Sequence, residues 1–334
     1  MLEPPDIAAE AIVERVLTAF GLPVVDATFL PEGNDSSAWA FRLDGDGAWF
    51  LKVLGRRVNL GTLAVPSFLA QHGVRHLVAP LPTADGGLAD DGDPFTLVVY
   101  PFFDGQPGGR LGPLSAVLRM QLGRLLRRIH DTPADEDLAA LMWSERFQVR
   151  ESTYVDRALV SVPTWGPTDP LAEAFKGFWM DHEPVITHAL ARTRELASIA
   201  TASHHEMVIC HADFHAWNIL VSADGDFVVV DWDETLIAPR ERDLMFVSGN
   251  IADLDPEATD FFAGYGDVDV DLELLAYYRY DWVLQEVADY HRRVVDRARN
   301  ETTRRHALEL FMGLFDPDDV VDAAQDADAR IRTA

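Results

Sequence analysis

Residues 208–246 read VICHADFHAWNILVSADGDFVVVDWDETLIAPRERDLMF, and the reading of this stretch decides the rest of the chain. An apolar run, Met207 to Cys210, turns polar at His211-Ala212-Asp213, and Asn218 follows five residues after Asp213. Two β-rich runs come next, Ile219-Leu220-Val221 and Phe227-Val228-Val229-Val230, with Asp224-Gly225 between them, a strong hairpin-turn signal. If Asp224-Gly225 is a two-residue turn, Ser222 faces Phe227 and, counting outward, Asn218 pairs with Asp231. Directly opposed residues of an antiparallel pair lie close together, so an amide oxygen and a carboxylate are expected to converge at the open end of the hairpin. Hard oxygen ligands of this kind, completed by substrate phosphates, are what magnesium prefers. Asp213 enters near the same end, where a carboxylate can orient an attacking hydroxyl or accept its proton. His211, Asp213 and His215 also alternate, and on a strand they would share one face. That reading suits a metal-dependent hydrolase, but no further His/Asp cluster in the sequence completes such a site.

An Asp base, an Asn on one metal ion and an Asp bridging the metals make up the phosphoryl-transfer constellation. The motif His-x-Asp with Asn five residues after the Asp is the spacing of a kinase catalytic loop, and Asp231-Trp232-Asp233 stands where protein kinases carry Asp-Phe-Gly. With Ala212 after His211, and His215 as a second histidine, the stretch resembles the aminoglycoside phosphotransferase and choline-kinase branch of the protein-kinase-like fold. Its wording is closest to the spectinomycin phosphotransferase group. The resemblance implies ATP and Mg2+ as cofactors, Asp213 as the catalytic residue, and Asn218 and Asp231 as metal ligands.

The same resemblance extends, more weakly, to the N-terminal third. Residues 6–20 carry apolar side chains at helical spacing, and Val24–Leu30, Trp39–Leu43 and Ala48–Leu54 read as strands. Lys52 matches the lysine that contacts nucleotide phosphates. The turn-rich loop at 31–37 matches the phosphate-covering loop, where Ser36 and Ser37 would offer hydroxyl and N–H groups. The apolar run from Phe95 to Phe103 resembles the hinge between lobes, with the Pro101 carbonyl and the Phe103 N–H as adenine contacts. One element departs from the family pattern. The next helix, read from about Leu60 to His72, contains no acid to hold Lys52, so that ion pair is expected from elsewhere, with Asp231 as one source.

The resemblance therefore implies an α+β, two-lobed protein-kinase-like fold. Residues 1–103 would form the nucleotide-binding lobe, with a hinge near 100–105, and 104–334 the mostly helical catalytic and substrate-binding lobe. Leu114–His130 and Tyr277–Val294 read as long amphipathic helices, and 131–206 as helices separated by Pro- and Gly-rich breaks. Asp281, Gln285 and Asp289 share a helix face and could meet an amine-bearing substrate or be spent in ion pairs with neighbouring arginines.

Composition limits the alternatives. The chain has 334 residues, 48% of them hydrophobic, ample for a sizeable core. The single cysteine, Cys210, excludes an intramolecular disulfide and reads as a core thiol. Neither a signal peptide nor a membrane-length apolar run is evident, so a cytoplasmic location is expected. A net charge of −27 argues against nucleic acid and suits a cationic small molecule. A monomer or homodimer is expected. The acids between Asp316 and Asp328 read as a solvated face or tail. The resemblance implies ATP-dependent phosphorylation of a hydroxyl on an aminoglycoside or aminocyclitol such as spectinomycin. A metabolic kinase of the choline, homoserine, methylthioribose or fructosamine type, and a nucleotide-binding protein without catalysis, are the alternatives.

Overall fold

The computed structural model describes residues 3–31, 37–166, 169–247 and 259–333. The architecture is α+β, with an antiparallel sheet in the N-terminal part and mostly helices in the C-terminal part. By packing, the chain forms two compact units. One comprises Met1–Gly112, Arg124–Ser144 and Val208–Ile237, and the other Pro113–Gly123, Glu145–Met207 and Ala238–Ala334. Residues 208–237, which hold the hairpin, thus belong to the same compact unit as the N-terminal sheet.

In the first unit, helix α1 (Ala9–Phe20) is followed by strands β1 (Val24–Leu30), β2 (Ala38–Gly45) and β3 (Ala48–Leu54). Helix α2 (Leu60–Gln71) and strands β4 (Asp90–Asp91) and β5 (Thr96–Pro101) complete a five-stranded antiparallel sheet in the order β1-β2-β3-β5-β4. Ile12, Val16 and Phe20 of α1 bury against Phe41, Leu43, Leu51, Val53, Leu97 and Val99. Strand side chains alternate between faces, so the opposite face carries Ala38, Leu54 and Val98, with Leu63 of α2 packed on them. Lys52, flanked by Leu51 and Val53, is thereby turned away from the α1 core. The unit also holds β6 (Gln106–Pro107), the second part of α3 (Ala116–His130), α4 (Glu136–Leu141), β7 (Val208–Cys210), β8 (Ile219–Val221) and β9 (Phe227–Val229). Strands β6, β8 and β9 form a small sheet.

The second unit is helical: α5 (Ser152–Ser161), α6 (Pro170–Ala202), α7 (Glu241–Leu244), α8 (Thr259–Tyr265), α9 (Leu272–Val295), α10 (Glu301–Gly313) and α11 (Val320–Ile331). The breaks expected at 161–167 separate α5 from α6, but Pro184 lies inside α6, which runs on for 33 residues. The acidic segment near the C-terminus is not simply a solvated tail. Asp319 caps α11, and Asp328 is buried in an ion pair with Arg192 at 2.8 Å. Two glycines let α3 and α8 approach closely: a Cβ on Gly123 of α3 would overlap the Phe261 carbonyl, and one on Gly264 of α8 the Met120 carbonyl.

The polar stripe of α9 resolves into separate roles. Asp289 pairs with Arg293 at 2.5 Å, and Arg292 pairs with Glu151. Arg279 is buried and donates to the Met245 and Ala323 carbonyls. Asp281 is buried, accepts from Gln285 Nε2 at 2.7 Å on Oδ2, and leaves Oδ1 without a hydrogen-bond partner. Burial pushes its carboxyl up to about 6, with Glu145 adding to the rise and Gln285, Arg242 and Arg150 opposing it.

Two stability measurements check these features. Gly123→Ala should cost about 1–3 kcal/mol or more, the scale of overpacking, read as a lower urea midpoint at unchanged slope. A carboxyl raised in the folded state favours folding fully below its unfolded pKa and loses that advantage as pH rises to its folded value. Wild type should therefore lose on the order of 2–3 kcal/mol relative to Asp281→Asn between pH 4 and 6. Parallel pH profiles for the two proteins would contradict this.

Candidate active site

The hairpin has a different register from the one expected. Ile219 pairs with Val229, Leu220 with Val228 and Val221 with Phe227. The Ser222 N–H donates to the Asp226 carbonyl at 2.9 Å, and the Gly225 N–H to the Ser222 carbonyl at 3.1 Å. The loop therefore holds three residues, 223–225, and closes on Gly225 at φ 88°, the left-handed position that favours glycine in such turns. Asn218 consequently does not pair with Asp231. The Val230 N–H donates to the Asn218 carbonyl at 2.9 Å. Asp231 leaves the ladder in the left-handed region, φ 63°, which aspartate tolerates better than most residues.

The loop between β7 and β8 is held from beneath by His211, which is fully buried. Its Nε2 bonds the Val230 carbonyl at 3.0 Å, and its Nδ1 accepts the Asp213 N–H at 3.2 Å. These partners fix a neutral ring with its proton on Nε2. Both nitrogens are occupied by main chain, and β7 ends at Cys210. His211, Asp213 and His215 are therefore not three ligands on one strand face, which removes the hydrolase alternative. Cys210 is buried, as expected. Ala212 is also buried and bends the chain at φ 68°.

Asp213 is two-thirds buried and lies at the centre of the loop. Asn218 Nδ2 donates to its carbonyl at 3.0 Å and to its Oδ2 at 2.7 Å, while His215 Nε2 lies 3.1 Å from its Oδ1. Both Asn218 bonds use the amide nitrogen, so the amide oxygen remains to meet a cation. The structure thus brings Asp213 and Asn218 into direct contact.

Lys52 reaches this stretch from β3. Its Nζ lies 2.8 Å from Asp231 Oδ1 and 2.9 Å from Asp233 Oδ2. Burial alone would lower the lysine pKa, but the two carboxylates outweigh it and hold the ammonium well above the ordinary range. On the same sheet face, burial lifts the Tyr100 phenol above its usual value, and the carboxylates of Asp233 and Asp231 add to the effect against Lys52. Helix α2 has no acid in its sequence, as read, and is started instead by Asn59, whose side chain accepts the Gly61 N–H.

Ser36 lies outside the described residues. Ser37 accepts the Gly55 N–H on its carbonyl at 2.8 Å, and Arg56 Nε donates to its hydroxyl at 3.3 Å. Arg56 also pairs with Asp233 Oδ2 at 3.0 Å. Pro101 ends β5 opposite Trp49. The Val99 carbonyl accepts the Leu81 N–H, on the edge away from β3, and carbonyls two residues apart point the same way, so the Pro101 carbonyl faces that edge too. Phe103 follows the strand and packs its ring on Gly105, where a Cβ would lie 2.6 Å from it. Sequence reading missed Asp233 and Arg56. Asp233 stands two residues beyond Asp231 and Arg56 is the next cation after Lys52, but neither spacing by itself announces the contact.

The model of the APH phosphotransferase enzyme family matches residues 26–279. Two solved structures of spectinomycin phosphotransferase, APH(9)-Ia, are similar over nearly the whole chain. The complex with ADP and spectinomycin shares 27% identity at a TM-score of 0.85, covering 97% of this chain and 99% of that one. The AMP-bound complex shares 26% identity at a TM-score of 0.81, covering 95% and 98%. An ethanolamine kinase of Plasmodium vivax shares the fold at 12% identity and a TM-score of 0.58, covering 95% and 91%. A search of curated protein sequences returns no match. The fold is kinase-like, and the chain belongs to the APH phosphotransferase enzyme family, whose members transfer phosphoryl groups to hydroxyls of small molecules.

Proposed function

We propose that the protein phosphorylates a hydroxyl of an aminocyclitol or aminoglycoside antibiotic of the spectinomycin type, with ATP as donor. The observation that carries this reading is the assembly of Asp213, Asn218, Asp231 and Lys52 within one compact unit. The likeness to a spectinomycin-bound phosphotransferase over 97% of the chain supports the acceptor. The charge of −27 favours encounter with a cationic molecule. In this reading residues 1–103 act as the nucleotide lobe, 104–334 as the catalytic lobe, and 100–105 as the hinge. The enzyme works in the cytoplasm as a monomer or homodimer.

Asp213 would orient the acceptor hydroxyl and take its proton, a role that suits a carboxylate fixed by both Asn218 and His215. Lys52 would steady the phosphates, with Ser36 and Ser37 as further donors to them. The Pro101 carbonyl and Phe103 N–H would read the adenine edge. The donor set fits magnesium: the Asn218 amide oxygen is not engaged by Asp213, and the Asp231 carboxylate is 44% exposed, both hard oxygen ligands. Bound there, magnesium would offset charge on the transferred phosphate. The protein's own contribution is placement and charge, which such transfer mainly requires. The sequence alone left a non-catalytic reading open because α2 lacks an acid. Asp231 and Asp233 supply Lys52 with carboxylates and remove that ground.

A coupled ADP-release assay over spectinomycin, several aminoglycosides, choline, homoserine and methylthioribose tests the acceptor. Release with spectinomycin or an aminoglycoside supports the proposal, and release with only a metabolic alcohol overturns it. Asp213→Asn should lower kcat by about 10²–10⁴-fold while sparing nucleotide binding. Asp231→Ala should abolish the magnesium dependence of nucleotide binding. Near-normal turnover in either variant would contradict its assigned role.

A further inference from the structure

We propose that Asp233 is the positioning residue that holds Lys52 toward the nucleotide, replacing the helix acid that α2 lacks, and that through Arg56 it couples Lys52 to the loop at Ser37. This rests on the phosphotransferase reading above. The two carboxylates that meet Lys52 are not equivalent. Asp231 is 44% exposed and Asp233 only 12%. Asp233 Oδ2 receives two cations, Lys52 at 2.9 Å and Arg56 at 3.0 Å. An oxygen already facing two positive groups is a poor ligand for a divalent cation, because each added charge repels the metal. The exposed Asp231, with one cation on one oxygen, is the better one.

The division of labour has a consequence for Lys52. With Asp231 holding a metal, Lys52 would have one partner fewer, and an ammonium left with none would be free to swing on its long stem. The Asp233 contact at 2.9 Å would keep it in place. Arg56 carries the same constraint onward: its Nε bonds the Ser37 hydroxyl at 3.3 Å, and the Ser37 carbonyl accepts the Gly55 N–H at 2.8 Å. One largely buried carboxylate thereby holds both Lys52 and, through Arg56, Ser37.

Calorimetric binding of the ATP analogue adenylyl-imidodiphosphate with magnesium, paired with electron paramagnetic resonance of manganese bound with that nucleotide, tests this. Asp233→Asn should weaken nucleotide binding about 10- to 100-fold, the scale of a lost charge-assisted hydrogen bond, with manganese stoichiometry unchanged. Arg56→Gln, at a 40%-exposed side chain, should weaken it about two- to fivefold, as expected for a partly exposed pair, and it serves as the test if Asp233→Asn does not fold. Unchanged nucleotide affinity in the folded variants overturns the proposal. Loss of manganese binding in Asp233→Asn also overturns it, by making Asp233 a metal ligand. If wild type binds no nucleotide, the phosphotransferase reading falls and this inference with it. If wild type and Asp233→Asn bind equally, only this inference falls.

Discussion

The Lys52 ammonium between Asp231 and Asp233 is the interaction on which the rest of the site depends. It joins a strand of the N-terminal sheet to the end of a hairpin 179 residues later in sequence. Such a contact is costly to assemble and weak in water. Here Lys52 is only 13% exposed, so the pairing operates where screening by solvent is reduced. Everything around it serves to bring the two sides together. Leu51 and Val53 bury against α1 and so turn Lys52 the other way. Gly225 closes the hairpin loop, and Asp231 leaves the ladder at positive φ to meet the lysine.

Close to that pair, His211 ties the loop at Asp213 to the hairpin, with both ring nitrogens on main chain. One ring nitrogen bonds the residue before Asp231, and the other bonds the backbone of Asp213. The proposed metal-ligand side and the proposed base side of the site are therefore braced by a single buried ring. Asn218 adds a second brace, using its amide nitrogen on Asp213 and its carbonyl on Val230. Preorganisation of this kind is what phosphoryl transfer asks of a protein. It also explains why residues with no direct chemical role are buried so completely here.

Much of the architecture was legible because apolar periodicity reports the faces of strands and helices. Strands at 24–30 and 48–54 and the helix from Leu60 were read close to their observed bounds. The grouping Asp213, Asn218, Asp231 and Lys52 was legible as a motif. The register of the hairpin was not, because Asp-Gly suits both a two-residue turn and the end of a three-residue loop, and only the ladder decides between them. Asp233 and Arg56 escaped notice because their importance comes from long-range contacts, not from local pattern. The length of α6 was not legible, and Pro184, a residue type that usually breaks a helix, is accommodated within it. Asp328 was read as solvent-facing because charge runs usually are, and its partner Arg192 lies 136 residues away.

In the proposed division of labour, one carboxylate of the Asp231–Asp233 pair serves a metal while the other keeps the lysine on the phosphates. A crystal structure with magnesium and a non-hydrolysable ATP analogue is the decisive measurement. Metal should lie on the Asn218 amide oxygen and the Asp231 carboxylate, with Lys52 on the phosphates and the Lys52–Asp233 contact retained. Metal bound through Asp233, or nucleotide phosphates bound away from Lys52, would contradict it.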